Sequence, residues 1–136
     1  MKAYNNSFDP PALTIFVRLA GVVRDRPRVE VEAIIDTGAD ISAVPEYLRE
    51  RLKLYRFRKL LLEDARANKD TAYTYEVRVA LVGESPIPME MVLTPFPFVI
   101  LGRDWLQNYY MFLNGPEQEF ALGTRFKEIL ESLELS

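Results

Sequence analysis

The sequence predicts a mostly β domain, and three observations carry that reading. Turn signals recur roughly every eight to twelve residues. Apolar and polar residues alternate through several short runs, as they do on a half-buried strand. Nine prolines are spread along a chain of 136 residues, which favours many short elements over a few long helices. The length suits one compact domain with a single core.

Residues 1–11 are polar and end in Pro10-Pro11, which predicts a loose N-terminal arm. Leu13, Ile15, Val17 and Leu19 then alternate with Thr14, Phe16, Arg18 and Ala20, giving a strand with one strongly apolar face. Gly21 to Arg28 reads as a charged turn. Val29, Val31 and Ala33 alternate with Glu30 and Glu32 until the pattern becomes continuously apolar at Ala33-Ile34-Ile35, a strand that starts half-exposed and ends buried. Pro45 is expected to open a short helix running through Leu52, with Leu48 and Leu52 one turn apart. Residues 54–62 and 71–82 read as strands around the polar turn Arg66-Ala67-Asn68-Lys69-Asp70, and a further strand runs from about Ile87 to Leu93.

Pro95 and Pro97 bracket Phe96, and Phe98-Val99-Ile100-Leu101-Gly102 forms a second fully apolar run. Asp104 is placed to cap a short helix carrying Trp105, Leu106 and Tyr109, with Trp105 and Leu106 in the core. Asn114-Gly115 marks a hairpin between Met111-Phe112-Leu113 and Phe120-Ala121-Leu122. Phe126, Ile129, Leu130 and Leu133 recur at helical spacing with glutamates opposite, which predicts an amphipathic terminal helix packed on its own domain. No repeat or linker divides the chain. The expected organisation is an arm over 1–11, a domain over 12–123 and a terminal helix over 124–136.

Composition excludes whole classes of chemistry. The formal charge of −3 gives no electrostatic reason to expect nucleic acid or an anionic membrane as a partner. No apolar run approaches the ~20 residues of a membrane helix. The first residues lack the apolar core of a signal peptide, so a cytoplasmic protein is the default expectation. There is no cysteine, hence no disulfide, thiolate nucleophile or thiolate metal site. There is no histidine, which removes the usual base near neutral pH and the Ser-His and Cys-His pairs. Acid–base chemistry falls to carboxylates, lysine or tyrosine, with no cofactor and no metal expected.

Asp36 stands out because it follows the buried run Ala33-Ile34-Ile35 directly. Apolar walls at such a strand end are expected to enclose it and raise its pKa. Gly38 permits an unusual turn and close backbone approach, and Thr37 offers a hydroxyl that can hold the turn through the backbone. One carboxylate cannot activate a water and protonate a leaving group in the same step. Two held close together share a proton and divide those roles. Asp70-Thr71-Ala72 is no second copy, since it follows a polar turn and lacks the glycine. The second carboxylate is therefore expected from another copy of the chain, related by a twofold axis.

Ala33-Ile34-Ile35-Asp36-Thr37-Gly38-Ala39-Asp40 resembles the active-site segment of retropepsins, the retroviral proteases and their single-lobe cellular relatives. Val99-Ile100-Leu101-Gly102-Arg103-Asp104-Trp105-Leu106 resembles their second signature, and Gly102 lies 66 positions after Asp36. The resemblance spans residues 12–123. It implies a closed β-barrel of the acid-protease lobe type, a short helix after Ile-Leu-Gly, and a homodimer acting on a peptide or protein substrate. It implies that Asp36 is catalytic, that Thr37 bonds across the dimer axis, and that Asp40 pairs with Arg103 to support the loop. It further implies that Gly38, Ala39 and Asp40 meet the peptide backbone, and that Phe98 and Ile100 line side-chain pockets. A hairpin flap is then expected at about residues 60–75. None of the chain's six glycines falls there, and the tip instead carries Arg66, Lys69 and Asp70, with Asn68 as the candidate left-handed residue. Such a cover raises an alternative, a peptide-binding dimer on the same scaffold without turnover.

Overall fold

The computed structural model describes residues 1–23 and 28–134. Ten strands and three short helices follow one another: β1 Lys2–Ala3, β2 Thr14–Ala20, β3 Val29–Ile35, β4 Ala43–Pro45, α1 Leu48–Arg51, β5 Arg56–Glu63, β6 Lys69–Leu81, β7 Ile87–Thr94, β8 Val99–Leu101, α2 Arg103–Leu106, β9 Tyr110–Asn114, β10 Glu119–Gly123 and α3 Phe126–Glu134. The mostly β expectation holds, and the main sheet closes. Its order is β2-β3-β8-β4-β7-β6-β5, and a further pairing of β2 with β6 turns all but β5 into a six-stranded barrel. Closure removes the exposed edges that an open sheet would leave.

The barrel forms because period-two patterning aims one side of each strand inward. Ile15, Val17 and Leu19 of β2, Val29, Val31, Ala33 and Ile35 of β3, and Tyr75, Val77 and Val79 of β6 are all buried. Each large apolar side chain so buried contributes about 1.5–3 kcal/mol.

The strand order has one consequence for the site. β3 and β4 are consecutive, yet they do not pair. β8 lies between them, parallel to β3 and antiparallel to β4. The loop 36–42 must therefore arch over the end of β8. Val99 and Leu101 are fully buried in that slot, which explains the unbroken apolar run.

Several expectations are corrected. The first residues are tied down rather than loose: β1 pairs with β10, Asn5 bridges Ala12, and the Asn5 side chain donates to Glu32 at 3.0 Å. Pro45 does not open a helix. It ends β4, paired in parallel with Thr94, and the next amide, that of Glu46, donates to the Thr94 carbonyl at 2.9 Å. A proline at the end of a short strand forfeits no ladder bond, and α1 begins only at Leu48. Of the expected charged turn from Gly21 to Arg28, residues 24–27 lie outside the described residues.

The terminal hairpin forms as predicted, with Asn114 and Glu119 as the last pair before its turn. β1, β10 and β9 make a separate three-stranded sheet. The amphipathic helix also forms, but its packing differs from expectation. Ile129 is buried, whereas Phe126, Leu130 and Leu133 remain exposed. The helix lies against β10 and β9, and only Ile129 of the stripe is buried there. No helix among the described residues is long and apolar enough to cross a membrane.

Candidate active site

Asp36 is the first residue beyond β3. Its N–H donates to the carbonyl of Leu101 on β8 at 2.9 Å, and its carbonyl accepts from Ala39 N–H at 3.2 Å. The turn that follows is closed by the aspartate itself, whose Oδ1 accepts from Gly38 N–H at 2.9 Å. A Cβ on residue 38 would stand 3.2 Å from that same Oδ1. A side chain at 38 would therefore press on the carboxylate and shift it by a few tenths of an ångström. Gly38 does not adopt the left-handed conformation, so the expected unusual turn geometry is absent.

The expected apolar enclosure is also absent within one chain. Asp36, Thr37 and Gly38 are all exposed. Ile35 points into the barrel, and the chain emerges onto the surface immediately after it. Among the described residues the Thr37 hydroxyl has no hydrogen-bond partner, so it does not hold the turn through the chain's own backbone as expected.

Beneath the loop the contacts are dense. Gly102 ends β8 so close to the loop that a Cβ would lie 2.7 Å from the Ala39 carbonyl oxygen and 3.1 Å from the Ile41 carbonyl carbon. Only glycine fits between two stretches of backbone at that spacing. The Ala39 carbonyl accepts from Arg103 N–H at 2.8 Å.

Ser42, fully buried, joins the two halves. Its Oγ accepts from Gly102 N–H at 2.9 Å and donates to Asp104 Oδ1 at 2.6 Å, while its own N–H donates to Asp104 Oδ2 at 3.0 Å. Asp104 therefore does not cap α2. Gly102 occupies the cap position, and the carboxylate of Asp104 accepts from Ser42 and from Trp105 N–H. Sequence reasoning missed Ser42 altogether and misassigned Asp104. No local pattern announces a partner 62 positions away.

Asp40 and Arg103 are ion-paired on the surface, with both side chains largely exposed. Ala39 is half-buried, its backbone turned inward. Phe98 and Ile100 are half-buried on either side of Val99. Phe98 stacks on Phe96 with ring centroids 5.4 Å apart and meets Phe8 edge-on at 5.5 Å, so the N-terminal segment helps to build this wall. Ile100 lies between Ile34 of β3 and Ala43 of β4. Behind α2, Tyr109 packs on Trp105 and donates to Glu84 at 3.4 Å. Burial first, and then the Glu84 charge, push its phenol up to about 12.

β5 and β6 form the hairpin expected as a flap, around a turn over residues 64–68. Asp64 organises it. Its Oδ1 accepts from Arg66 N–H at 2.8 Å and Asn68 N–H at 2.9 Å, which holds its carboxyl below the usual range. The left-handed residue is Ala67, at φ +62°, and not Asn68. Among the described residues no group of three histidine, cysteine, aspartate or glutamate side chains is placed to hold a metal ion.

A closed barrel that threads an Ile-Leu-Gly strand beneath an Asp-Thr-Gly loop, with a hairpin leading away from the same sheet, is a single lobe of the aspartic-protease type. The retroviral aspartyl protease family model matches residues 9–114. The chain belongs to that family. Among solved structures, the EIAV protease complexed with the inhibitor HBY-793 is 28% identical, with 71% of this chain and 86% of that chain covered and a TM-score of 0.50. The simian foamy virus protease shares the fold at 17% identity, with 70% and 92% covered and a TM-score of 0.52. A foamy viral protease-reverse transcriptase in complex with an RNA/DNA hybrid is 19% identical, with 73% of this chain but 12% of that one covered and a TM-score of 0.54. No curated protein sequence matches the chain.

Proposed function

We propose that the protein is a homodimeric aspartic endopeptidase in which each of two copies supplies one Asp36. The observation that carries this is the contrast between a rigidly braced loop and an uncovered carboxylate at its crest. Asp36 is fixed through its backbone to Leu101 and through Oδ1 to Gly38, yet it is exposed. A second copy brought up about a twofold axis would enclose both carboxylates, give Thr37 a partner and supply the missing acid. A water between the two carboxylates attacks the scissile carbonyl. The ionised carboxylate takes the water's proton, and the protonated one polarises the carbonyl and then donates to the leaving nitrogen.

Peptide would lie along the loop. Among the described residues the Gly38 carbonyl and the Asp40 N–H carry no hydrogen bond within the chain, so both are free for an extended backbone. Phe98 and Ile100 would wall side-chain pockets. Asp40 and Arg103 would support the loop from its outer side.

Asp36→Asn is expected to abolish cleavage of a peptide library across acid to neutral pH while leaving the thermal midpoint and the sedimentation coefficient unchanged. Undiminished cleavage by that variant would sink the proposal. A second reading, a peptide-binding dimer without turnover, is favoured by the hairpin tip, where Asp64 pins a glycine-free turn. Peptides that bind the unmodified chain and are never cut would select it.

A further inference from the structure

Six of the seventeen basic residues lie between positions 49 and 59, beside the single acid Glu50. They are not spread evenly in space. On a regular strand Arg56 and Lys59 would project to opposite faces, being an odd number of residues apart. β5 has a bulge between them: Arg56 pairs with Tyr75, while Lys59 pairs with Tyr73. That extra residue puts both cations on one face. The Arg56 guanidinium sits 4.1 Å from the Tyr73 ring centroid and the Lys59 ammonium 5.3 Å from the same ring. Arg49 of α1 reaches the neighbouring Tyr75 ring at 5.4 Å.

Three like charges are thus gathered over two adjacent tyrosines. Among the described residues none of the three is in an ion pair. By contrast Arg58, on the other face of β5, is matched by Glu90 at 2.6 Å. A hollow of about 480 Å³ lined by Arg49, Glu50, Lys53, Leu54 and Tyr55 continues the cationic surface. β5 itself is the last strand of the main sheet, so among the described residues its outer backbone edge is unpaired.

We propose that the outer edge of β5 is an exosite for an extended acidic segment, which adds to the sheet as a further strand with its carboxylates on Arg49, Arg56 and Lys59. Calling that segment part of a protein substrate rests on the proteolytic reading above; its binding does not. Two features select peptide over nucleic acid. The Tyr73 ring is covered by two cations and the Tyr75 ring is buried, so neither is free for stacking bases. The free edge offers main-chain donors and acceptors in a row, which only another extended peptide backbone can match.

The test uses the full chain carrying Asp36→Asn, so that binding is read without cleavage and an inactive protein does not compromise it. Fluorescence anisotropy would compare a glutamate-rich extended peptide, its glutamine counterpart, the same acidic peptide N-methylated at alternate amides, and a single-stranded thymidine oligomer. The acidic peptide is expected to bind roughly tenfold tighter than the glutamine one, with an affinity that falls as salt rises. Arg56→Gln with Lys59→Gln should erase that difference, and Arg56→Lys with Lys59→Arg should restore most of it. N-methylation should weaken binding at least as much. Equal affinity for the acidic and neutral peptides, indifference to the double substitution, or indifference to N-methylation would overturn the proposal. So would tighter binding of the oligonucleotide.

Discussion

The loop that carries Asp36 and the hairpin tip around Asp64 are both tight turns closed by an aspartate, yet they are secured in opposite ways. Beneath Asp36 lie the buried Ser42 and the buried backbone of Gly102, tied to the half-buried carboxylate of Asp104. At residues 64–68 every residue is exposed, and one carboxylate organises the turn. Buried polar groups are expensive to orphan, whereas exposed ones fall back on water. The first arrangement fixes the Asp36 loop in place. The second holds a turn that solvent can take over at little cost.

The comparison can be broken most severely from below. Asp104→Ala would leave the Ser42 N–H and Oγ–H without acceptors in the interior. A loss of about 3 kcal/mol is expected in urea unfolding, together with loss of any peptide cleavage. Gly102→Ala forces a methyl group against two stretches of backbone and should cost about 2–3 kcal/mol by the same measurement. Either variant unfolding within 0.5 kcal/mol of the parent would show that the floor is not what fixes the loop.

At the tip the effects should be smaller and of mixed sign. Ala67→Gly relieves a left-handed alanine and should stabilise the turn by up to about 1 kcal/mol, read as slower amide exchange at residues 66–68. Faster exchange there would contradict the assignment of strain.

The packing behind α2 and the hairpin tip should also respond at opposite ends of the pH scale. The Tyr109 phenol, raised from 10.0 to about 12, is favoured protonated in the folded chain. Its contribution is complete below about pH 10 and is lost as pH rises through about 12. Tyr109→Phe should flatten the fall in thermal midpoint over that window, and an unchanged slope would refute it. Asp64 has the reverse sign. Its carboxyl is held low by the Asn68 and Arg66 amides, so its contribution is complete above the usual carboxylate range and is lost as pH falls through the lowered value. Asp64→Ala should speed exchange at the amides of Arg66 and Asn68 at neutral pH while leaving global unfolding unchanged. Unaltered exchange at those amides would show that the carboxylate is not the pin.

What the sequence disclosed follows the same division. Period-two patterning revealed β2 and β3, because burial on one face writes itself into alternate residues. The two apolar runs before Asp36 and Gly102 were legible because both strands are enclosed in the barrel. Features that depend on distant partners were not. β4 is three residues long and ends in proline, so it left no period to read. Ser42 and Asp104 meet only through the fold. The bulge in β5 reverses the facing of Arg56 relative to Lys59, which no alternation rule anticipates. The helix α3 was read correctly as amphipathic, but which residue of its stripe would be buried depended on its placement against β9 and β10.

The threading of β8 between β3 and β4 also sets an order of events. During synthesis the Asp-Thr-Gly loop emerges long before the strand that must slide beneath it, and Ser42 waits for a carboxylate 62 positions further on. Until β8 arrives, β3 and β4 have an empty slot between them and Asp36 has no carbonyl to receive its N–H. Asp36 thus reaches its braced position only after residues 99–104 have been made, long after its own loop has emerged.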